Sequence, residues 1–331
     1  MLIILKENVV VEEVESLEKF LKEFYRVRLY GFDIILSNSK NIESIKSFNC
    51  VSKVIKIKES FKLSNRVFKE NDTTVPIDNN ISIGDNKRIV IAGPCSVESE
   101  EQIISVAKSV KLSGASILRG GAFKPRTSPY TFQGMGLDGL KLLKLARDEV
   151  NIPIVSELLN IKDLEEFDNT VDIIQIGARN MQNFELLKEV GKLKKPILLK
   201  RGFANTIEEW LLSAEYILSQ GNENVILCER GIRSFDKYSR NNLDITAIVL
   251  IKQLSHLPVI ADPSHASGKS SLVHSLSLSS IAGGANGVMV EVHNDPTNAL
   301  CDGEQALDLE DFAKLMKDIN ILNSALDSMN K

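Results

Sequence analysis

The sequence predicts a (β/α)8 barrel, the TIM-barrel fold of the α/β class, preceded by a small N-terminal α+β domain. From residue 89 onward, eight short runs rich in β-branched residues alternate with amphipathic helical stretches, which is the pattern of parallel strands joined by helical crossovers. Eight such units in about 240 residues match the size of a closed barrel. An open, doubly wound sheet is disfavoured because no strand is followed by a Gly-x-Gly-x-x-Gly turn.

The N-terminal segment, residues 1–70, is predicted to form a ferredoxin-like unit with the element order βαβ(β)αβ. An apolar run at Leu2–Leu5 precedes a stretch over 11–24 in which apolar side chains recur at helical spacing. The middle of the unit, VRLYGFDIILS, is short, which predicts reduced central strands. Residues 71–88 are polar and rich in turn formers, which predicts a linker that includes a short hairpin. The barrel domain then takes residues 89–331.

The eight barrel strands are predicted at apolar runs that end in polar or charged side chains. In chain order these runs are RIVIAGPCS, SILRGGAF, PIVSEL, DIIQIGA, PILLKRG, NVILCERG, PVIADPSH and GVMVEVH. Active sites of such barrels lie at the C-terminal ends of the strands. A barrel that served stability alone would not carry a charged or metal-binding side chain at every strand end, so these ends are the candidate site.

Composition and charge exclude several classes of protein. Of the 331 residues, 43% are hydrophobic and 25% are charged, as in ordinary globular proteins that can bury a sizeable core. The net charge of -4 gives no overall attraction to nucleic acid or to acidic membranes. The four cysteines are widely spread, which fits a reducing compartment. With neither a signal-peptide pattern nor a run of about 20 apolar residues, a cytoplasmic location is predicted.

Cationic side chains form the first part of the candidate site. Converging cations repel one another unless an anion lies between them, and Arg and Lys suit phosphate and carboxylate oxygens. The sequence therefore predicts that the barrel mouth binds small phosphorylated anions, although any one of these residues alone would more simply be a solvated loop cation. The residues are Arg119, Lys124, Arg126, Arg179, Lys200 and Arg230.

A possible metal site forms the second part. Cys95, His265, Glu291 and Asp302 offer a thiolate, an imidazole and two carboxylates, a ligand set that suits a divalent transition metal better than calcium. Strands one, seven and eight are neighbours in a closed barrel, so these ends should meet. Taken singly, a buried Cys is more often a core residue and a lone His is more often structural.

Long motifs along the barrel resemble those of a known enzyme family. They are IAGPCSVES, ILRGGAFKPRTSPYTFQG, IIQIGARNMQNFELL, LLKRG, LCERGIR, ADPSHASG and VEVHNDP, followed by Asp302. Over about residues 85–325 the chain resembles type I 3-deoxy-D-arabino-heptulosonate 7-phosphate (DAHP) synthases. With its small N-terminal unit it resembles the subgroup that carries a ferredoxin-like regulatory domain.

The resemblance implies a transferase that performs the first step of the shikimate pathway, which leads to chorismate and the aromatic amino acids. The reaction is the metal-dependent, aldol-type condensation of phosphoenolpyruvate with D-erythrose 4-phosphate. The implied metal ligands are Cys95, His265, Glu291 and Asp302. The implied phosphoenolpyruvate-binding residues are Arg119, Lys124, Arg179, Lys200 and Arg230. The implied erythrose 4-phosphate-binding residues are Lys124, Pro125, Arg126, Thr127 and Asp262.

Catalysis and assembly also follow from the resemblance as expectations. Lys124 is the candidate proton donor to the new hydroxyl, Glu157 is expected to orient cations or water, and Cys95 and His265 hold the metal. One divalent ion per subunit is expected, such as manganese, iron, zinc or cobalt. A homotetramer is expected, with Tyr or Phe as an allosteric effector of the N-terminal unit, although that unit contains no His.

Two alternative functions remain open at this point. The related 3-deoxy-D-manno-octulosonate 8-phosphate synthases use arabinose 5-phosphate, but they carry a Lys-Ala-Asn-Arg-Ser type loop where this chain has Lys124–Ser128, reading KPRTS. The chain could also be a non-catalytic barrel that binds a phosphorylated metabolite. Its complete set of predicted metal ligands argues against that second alternative.

Overall fold

The computed structural model describes residues 1–85 and 87–329. Position 86 of the predicted linker and positions 330–331 of the predicted barrel domain lie outside the described residues. The predicted barrel is confirmed: eight parallel strands close in the order β10-β11-β12-β13-β14-β7-β8-β9. These strands are β7 (Ile89–Gly93), β8 (Ile117–Arg119), β9 (Ile154–Glu157), β10 (Ile173–Ile176), β11 (Ile197–Lys200), β12 (Val225–Glu229), β13 (Val259–Ala261) and β14 (Gly287–Glu291).

Helices surround the barrel and are fixed by local capping. Helix α7 begins at a capping box, in which Thr206 and Glu209 each bind the other's backbone N–H. Helix α4 ends at Asn151, whose left-handed conformation stops the helix. The helices of the barrel are α3 (Glu100–Leu112), α4 (Leu137–Val150), α5 (Leu164–Thr170), α6 (Phe184–Gly191), α7 (Ile207–Leu218), α8 (Ile245–Leu254), α9 (Pro263–Ser267), α10 (Ser270–Ala282) and α11 (Leu309–Met329).

Side chains alternate between the inside of the barrel and the helices. Ile89, Ile91 and Met289 belong to an inner cluster, whereas Val90 and Ala92 pack in the outer layer. This alternation follows from the two-residue period of a strand. Since both faces are buried, each strand is almost wholly apolar up to its C-terminal end, where the polar site residues begin.

A short hairpin, β5 (Val75–Pro76) and β6 (Ser82–Ile83), closes the N-terminal end of the barrel. Val75 and Ile83 are fully buried in the inner cluster of the barrel. The hairpin predicted within this segment is present. Thr73 donates its backbone N–H to the carbonyl of His256 over 2.7 Å, so the segment is tied to the barrel.

The N-terminal unit is a four-stranded antiparallel sheet in the order β2-β3-β1-β4. The prediction of reduced central strands was wrong, because two five-residue strands meet in a hairpin at Tyr30 and Gly31, both with positive φ. The assignment of the unit to the ferredoxin-like class stays a prediction. Its elements are β1 (Leu2–Leu5), α1 (Val11–Leu21), β2 (Tyr25–Leu29), β3 (Phe32–Leu36), α2 (Ile42–Lys46) and β4 (Val51–Ile55).

The sheet packs against both its own helices and the barrel. Ile3 and Ile35 face α1 and α2, whereas Leu2 and Ile34 join the large core that includes the barrel helices. After β4, the buried carboxylate of Glu215 on α7 accepts backbone N–H groups of the connecting segment. Within the described part of the chain, no helix has the length and apolarity needed to cross a membrane.

Candidate active site

The C-terminal ends of the barrel strands surround a cavity of about 390 Å³. The predicted site residues that line it are Lys124, Pro125, Arg126, Thr127, Glu157, Arg179, Lys200, Arg230, His265 and Asp302. Another four lie buried behind this lining, namely Cys95, Arg119, Asp262 and Glu291. All the predicted residues are thus at one end of the barrel, as the rule for barrel active sites requires.

The four predicted metal ligands come together in the structure. Cys95, His265, Glu291 and Asp302 each offer one ligand atom, and all four atoms lie within 4.8 Å of one another. Cys95 follows β7, His265 lies on α9 directly after β13, and Glu291 ends β14. Barrel closure between β7 and β14 brings these residues together even though they are far apart in sequence.

The donor set fits a divalent transition metal. Thiolate, imidazole and carboxylate donors in one small cluster suit such an ion. Oε1 of Glu291 is buried and forms no hydrogen bond of acceptable geometry among the described residues, although Arg119 Nη1 is 3.0 Å away and His265 Nε2 is 3.2 Å away. Arg119 balances part of the charge of this buried carboxylate, and a bound metal ion would supply the partner that the oxygen lacks. We take this oxygen and the Nε2 of His265 to face the ion position.

Asp262 orients the imidazole of His265. Its Oδ2 accepts a hydrogen bond from His265 Nδ1 over 2.7 Å, and its Oδ1 accepts the backbone N–H of His265 over 3.0 Å. Carboxylate–histidine pairs of this kind fix the tautomer of a metal-ligating His. Burial alone would raise the pKa of Asp262, but His265 and Lys200 outweigh burial and hold that pKa well below its usual range.

This geometry gives Asp262 a role in supporting other site residues, while its contact with the aldehyde substrate stays a prediction. The sequence placed it near the hydroxyl groups of the aldehyde substrate. In the structure its side chain is fully buried and does not line the cavity, and both carboxylate oxygens are already bound to His265 and Lys200. Asp262 therefore acts on the site by positioning these two side chains.

Lys124 lies between the metal ligands and the cavity. Its Nζ is 2.9 Å from the Cys95 sulfur and donates to the Cys95 carbonyl over 3.0 Å. Burial would lower the pKa of Lys124, but the nearby cysteines and Glu291 raise it above its ordinary value. The ammonium group is therefore charged and can donate a proton or stabilise an anion beside the metal ligands.

The cationic side chains predicted for phosphoenolpyruvate occupy two depths. Arg179, Lys200 and Arg230 line the cavity, and the guanidinium groups of both arginines lie over the ring of Phe203 at 5.4 and 4.7 Å from its centroid. Arg119 lies deeper, only 5% exposed, with Nη1 3.0 Å from Glu291 Oε1. A small anion in the cavity would contact the first three directly, with Arg119 adding positive charge behind them.

The predicted aldehyde loop, Lys124 to Thr127, forms one wall of the cavity. Arg126 extends from this loop toward the metal ligands: its Nη1 is 2.9 Å from the sulfur of Cys301 and 3.9 Å from Asp302 Oδ1. A phosphorylated aldehyde between this wall and the cluster would thus have a guanidinium within reach of its phosphate.

Glu157 is the last residue of β9 and lines the cavity. Gln175 donates from Nε2 to Glu157 Oε2 over 3.1 Å, which fixes the carboxylate. A Cβ on Gly177 would lie 1.9 Å from Glu157 Oε1, so a larger residue there would displace the carboxylate from this position. The structure gives Glu157 a fixed place in the cavity wall, while its role in the reaction stays a prediction.

Several residues of the site were missed by sequence reasoning. Cys301 was treated only as a dispersed cysteine, yet its sulfur lies 3.2 Å from that of Cys95. Phe203 and Arg240 also line the cavity, and Gln305 donates to Glu291. The one available signal was position: Cys301 precedes the predicted ligand Asp302. The other three lie outside the barrel strands and the α-helices, where sequence periodicity places no side chain.

Comparison with known proteins identifies the family. The model of the DAHP synthetase I family matches residues 66–325. The chain belongs to this family. A curated relative from Thermotoga maritima, a phospho-2-dehydro-3-deoxyheptonate aldolase, is 44% identical and the match covers 98% of each chain. A 2-dehydro-3-deoxyphosphooctonate aldolase from Geobacter sulfurreducens is 30% identical, over 73% of this chain and 94% of that protein.

Solved structures of the family agree with the fold. The crystal structure of the Thermotoga maritima phospho-2-dehydro-3-deoxyheptonate aldolase (DAHP synthase) has a TM-score of 0.80 at 43% identity, and the match covers 98% of this chain and 97% of that one. A truncated form of 3-deoxy-D-arabino-heptulosonate 7-phosphate synthase from the same organism has a TM-score of 0.76 at 48% identity, over 81% of this chain and 98% of that one. The family is generally metal-dependent, and the cluster described above is its candidate metal site here.

Proposed function

We propose that this protein is a 3-deoxy-7-phosphoheptulonate synthase. It condenses phosphoenolpyruvate with D-erythrose 4-phosphate and water to give DAHP and inorganic phosphate, the first step of the shikimate pathway. The observation that carries the proposal is the joining of a cationic cavity to a four-ligand metal cluster at the C-terminal end of the barrel. The Thermotoga maritima relative supports the proposal, because it is 44% identical over 98% of each chain and its name is phospho-2-dehydro-3-deoxyheptonate aldolase.

One divalent metal ion per subunit is part of the proposal. Cys95, His265, Glu291 and Asp302 would hold manganese, iron, zinc, cobalt or a similar ion. When bound, the ion supplies Lewis-acid polarisation of the aldehyde carbonyl. Asp262 holds the His265 ring in the orientation that such binding requires, because its carboxylate fixes the proton on Nδ1.

Phosphoenolpyruvate binds in this proposal to the cationic wall. Arg179 and Arg230, which share the face of Phe203, offer planar forks that suit a phosphate or a carboxylate. Lys200 adds a point charge whose position is set by Asp262. Arg119 increases the positive charge behind the site. Fixing the substrate in this way turns the encounter of two reactants into a nearly unimolecular step.

Erythrose 4-phosphate binds against the loop from Lys124 to Thr127, with Arg126 toward its phosphate and Pro125 and Thr127 shaping the wall. C3 of phosphoenolpyruvate attacks C1 of the aldehyde while water adds at C2, and the resulting hemiketal releases phosphate. Lys124 is the group best placed to protonate the new hydroxyl, because its charged Nζ lies beside the metal ligands. Glu157 is proposed to orient a cation or the attacking water across the cavity.

Phosphate release is the direct test of this function. Purified protein loaded with a divalent metal is expected to release inorganic phosphate from phosphoenolpyruvate only when erythrose 4-phosphate is present. Excess chelator should abolish the reaction, and added metal should restore it. Phosphate release that ignores the aldehyde, or full turnover in chelator, would contradict the proposal. No release under any condition would favour the non-catalytic alternative.

The second candidate function is the octulosonate synthase reaction with arabinose 5-phosphate. The 30% identity to the relative from Geobacter sulfurreducens keeps it open. The KPRTS sequence of the aldehyde loop and the closer full-length relative favour the four-carbon sugar.

Regulation by Tyr or Phe through the N-terminal unit, in a homotetramer, is also proposed. The β2–β3 hairpin holds the connection between α7 and β12: Tyr25 donates its hydroxyl to the Ser219 carbonyl over 2.9 Å, and the Tyr30 N–H donates to Glu223. Strand β12 leads directly to Arg230. A shift of the hairpin would therefore be transmitted through β12 to the cationic wall of the cavity. Such an effect requires that the effector bind two arrangements of the unit with different affinity.

The paired test titrates each amino acid against the full chain and against a chain that begins at Glu59, which lacks the sheet. Inhibition of the full chain alone supports regulation. Inhibition of neither chain removes the aromatic-effector proposal, and equal inhibition of both places the effector at the active site.

A further inference from the structure

Asp302 is a proposed metal ligand on a loop that packing alone holds poorly. Its φ of +53° lies in the left-handed region, which is uncommon for a residue other than glycine. Most residues from 294 to 300 are exposed, and Leu300 is 55% exposed. A strained ligand on an exposed loop must therefore be held by specific polar contacts.

One carboxylate supplies two such contacts. Oε1 of Glu98 accepts the backbone N–H of Leu300 over 2.9 Å, two residues before Asp302. Oε2 of the same carboxylate lies 3.3 Å from Nε2 of His293, which follows β14. Glu98 itself lies three residues after Cys95. A single side chain thus connects the segment of one metal ligand to both ends of the loop that carries another.

The proton on His293 can be assigned from its neighbours. The backbone N–H of Asp295 points at Nδ1 of His293 over 2.9 Å, and an amide N–H can only donate. Nδ1 is therefore the acceptor, and the ring proton lies on Nε2, where it donates to Glu98. The side chains of Glu98 and His293 are only 10% and 7% exposed, so water competes little for this bond.

We propose that Glu98 and His293 form a latch that positions Asp302 against Cys95 and so sets the affinity of the site for its divalent metal. Both are positioning residues, since neither belongs to the four-ligand cluster. The inference rests on the proposed metal site. It extends that site to a pair of residues that act through the loop from 293 to 302.

Substitution of Glu98 by Gln is the sharpest perturbation. The Gln oxygen can still accept from Leu300, but its NH2 then faces the Nε2–H of His293, donor against donor. If the amide is reversed, the contact with His293 returns and the one with Leu300 is lost. Either way one of the two contacts is removed with almost no change in volume. His293→Phe removes the other partner while keeping a ring of similar size.

The probe is Zn²⁺, titrated into metal-free protein in competition with a chromophoric chelator. Both variants are expected to bind Zn²⁺ about 10–100-fold more weakly than wild type, the range found when a residue that supports a metal ligand is lost. Glu304→Gln is the matched control, because it removes one carboxylate at an exposed position just after this loop. It should leave the affinity unchanged.

Two further readouts separate positioning from general stability. In metal-saturated enzyme the KM for phosphoenolpyruvate should not change, because its proposed ligands lie on other strands. The thermal midpoint of metal-free protein reports stability alone. A lower midpoint with unchanged Zn²⁺ affinity in both variants would overturn the latch and leave the metal site intact. Wild-type protein that binds no Zn²⁺ would overturn the proposed metal site and the latch with it.

Discussion

The hairpin that closes the barrel allows a sharp test of where the catalytic domain begins. Two shortened chains are compared, one beginning at Glu59 and one at Ile81. The first keeps Phe61, Leu63 and Val75, which are 4%, 0% and 0% exposed in the full chain. The second loses all three. We expect the first to fold as a stable barrel and the second to be severely destabilised.

The magnitude follows from the buried groups. Full burial of each of these three side chains contributes about 1.5–3 kcal/mol, so their loss costs about 4.5–9 kcal/mol as an upper estimate. The second chain also removes Leu63 and Ser64, whose backbone N–H groups donate to the buried carboxylate of Glu215 over 3.0 and 2.6 Å. The total is comparable with the whole stability of many domains, about 5–15 kcal/mol.

Thermal unfolding followed by circular dichroism measures the difference. A loss of about 4.5 kcal/mol lowers the Tm of a domain of this size by about 9–18 °C. A matched pair of point variants isolates the hairpin: Val75→Ala removes buried apolar groups and should cost about 1.6 kcal/mol. Val67→Ala, at a position 54% exposed, should cost little. Equal Tm values for the two shortened chains would refute the claim that residues 59–80 stabilise the barrel.

Three further predictions concern the site and its support. Cys95→Ala should lose bound metal and turnover while its circular dichroism spectrum stays that of the wild type; retained metal in equilibrium dialysis would contradict the ligand assignment. Arg179→Ala removes a charge-assisted contact, worth about 1.5–3 kcal/mol, so steady-state kinetics should show a one- to two-decade loss for phosphoenolpyruvate; unchanged kinetics would mean that this residue is misplaced. Burial of His256 lowers its pKa from 6.5 to about 4, so the folded state binds fewer protons than the unfolded chain. The free energy of unfolding therefore keeps its full value above pH 6.5 and falls by about 3 kcal/mol toward pH 4 as His256 is protonated. In His256→Gln, chemical denaturation at a series of pH values should show that this fall is absent.

Much of the barrel was predictable because its physical signals are local. Parallel strands buried on both faces read as short apolar runs, and strand-end polar residues then mark one end of the fold. Closure made β7 and β14 neighbours, so the meeting of Cys95 with Glu291 followed from strand order alone. The cationic residues at the cavity followed from the same rule.

The errors have equally physical causes. The central strands of the N-terminal unit were predicted to be reduced because the segment that holds them is short. Two five-residue strands still fit, because the hairpin turn needs only Tyr30 and Gly31, both at positive φ. The burial of the linker segment was not predicted because few of its residues are apolar, yet Val75 and Ile83 are both fully buried. The substrate role of Asp262 was implied by the family resemblance, which carries no information on how deep its side chain lies. Contacts made by loops, such as that of Cys301 with Cys95, have no periodic signal in the sequence.

The identity of the aldehyde substrate is the central claim, and one measurement tests it most directly. Specificity constants are determined for D-erythrose 4-phosphate and D-arabinose 5-phosphate with the same metal-loaded protein, saturating phosphoenolpyruvate and phosphate release as the signal. The loop from Lys124 to Thr127 predicts a clear preference for the four-carbon sugar, with kcat/KM higher by at least about tenfold, a difference of about 1.4 kcal/mol in transition-state binding. Equal constants, or a preference for arabinose 5-phosphate, would contradict the assignment within this family.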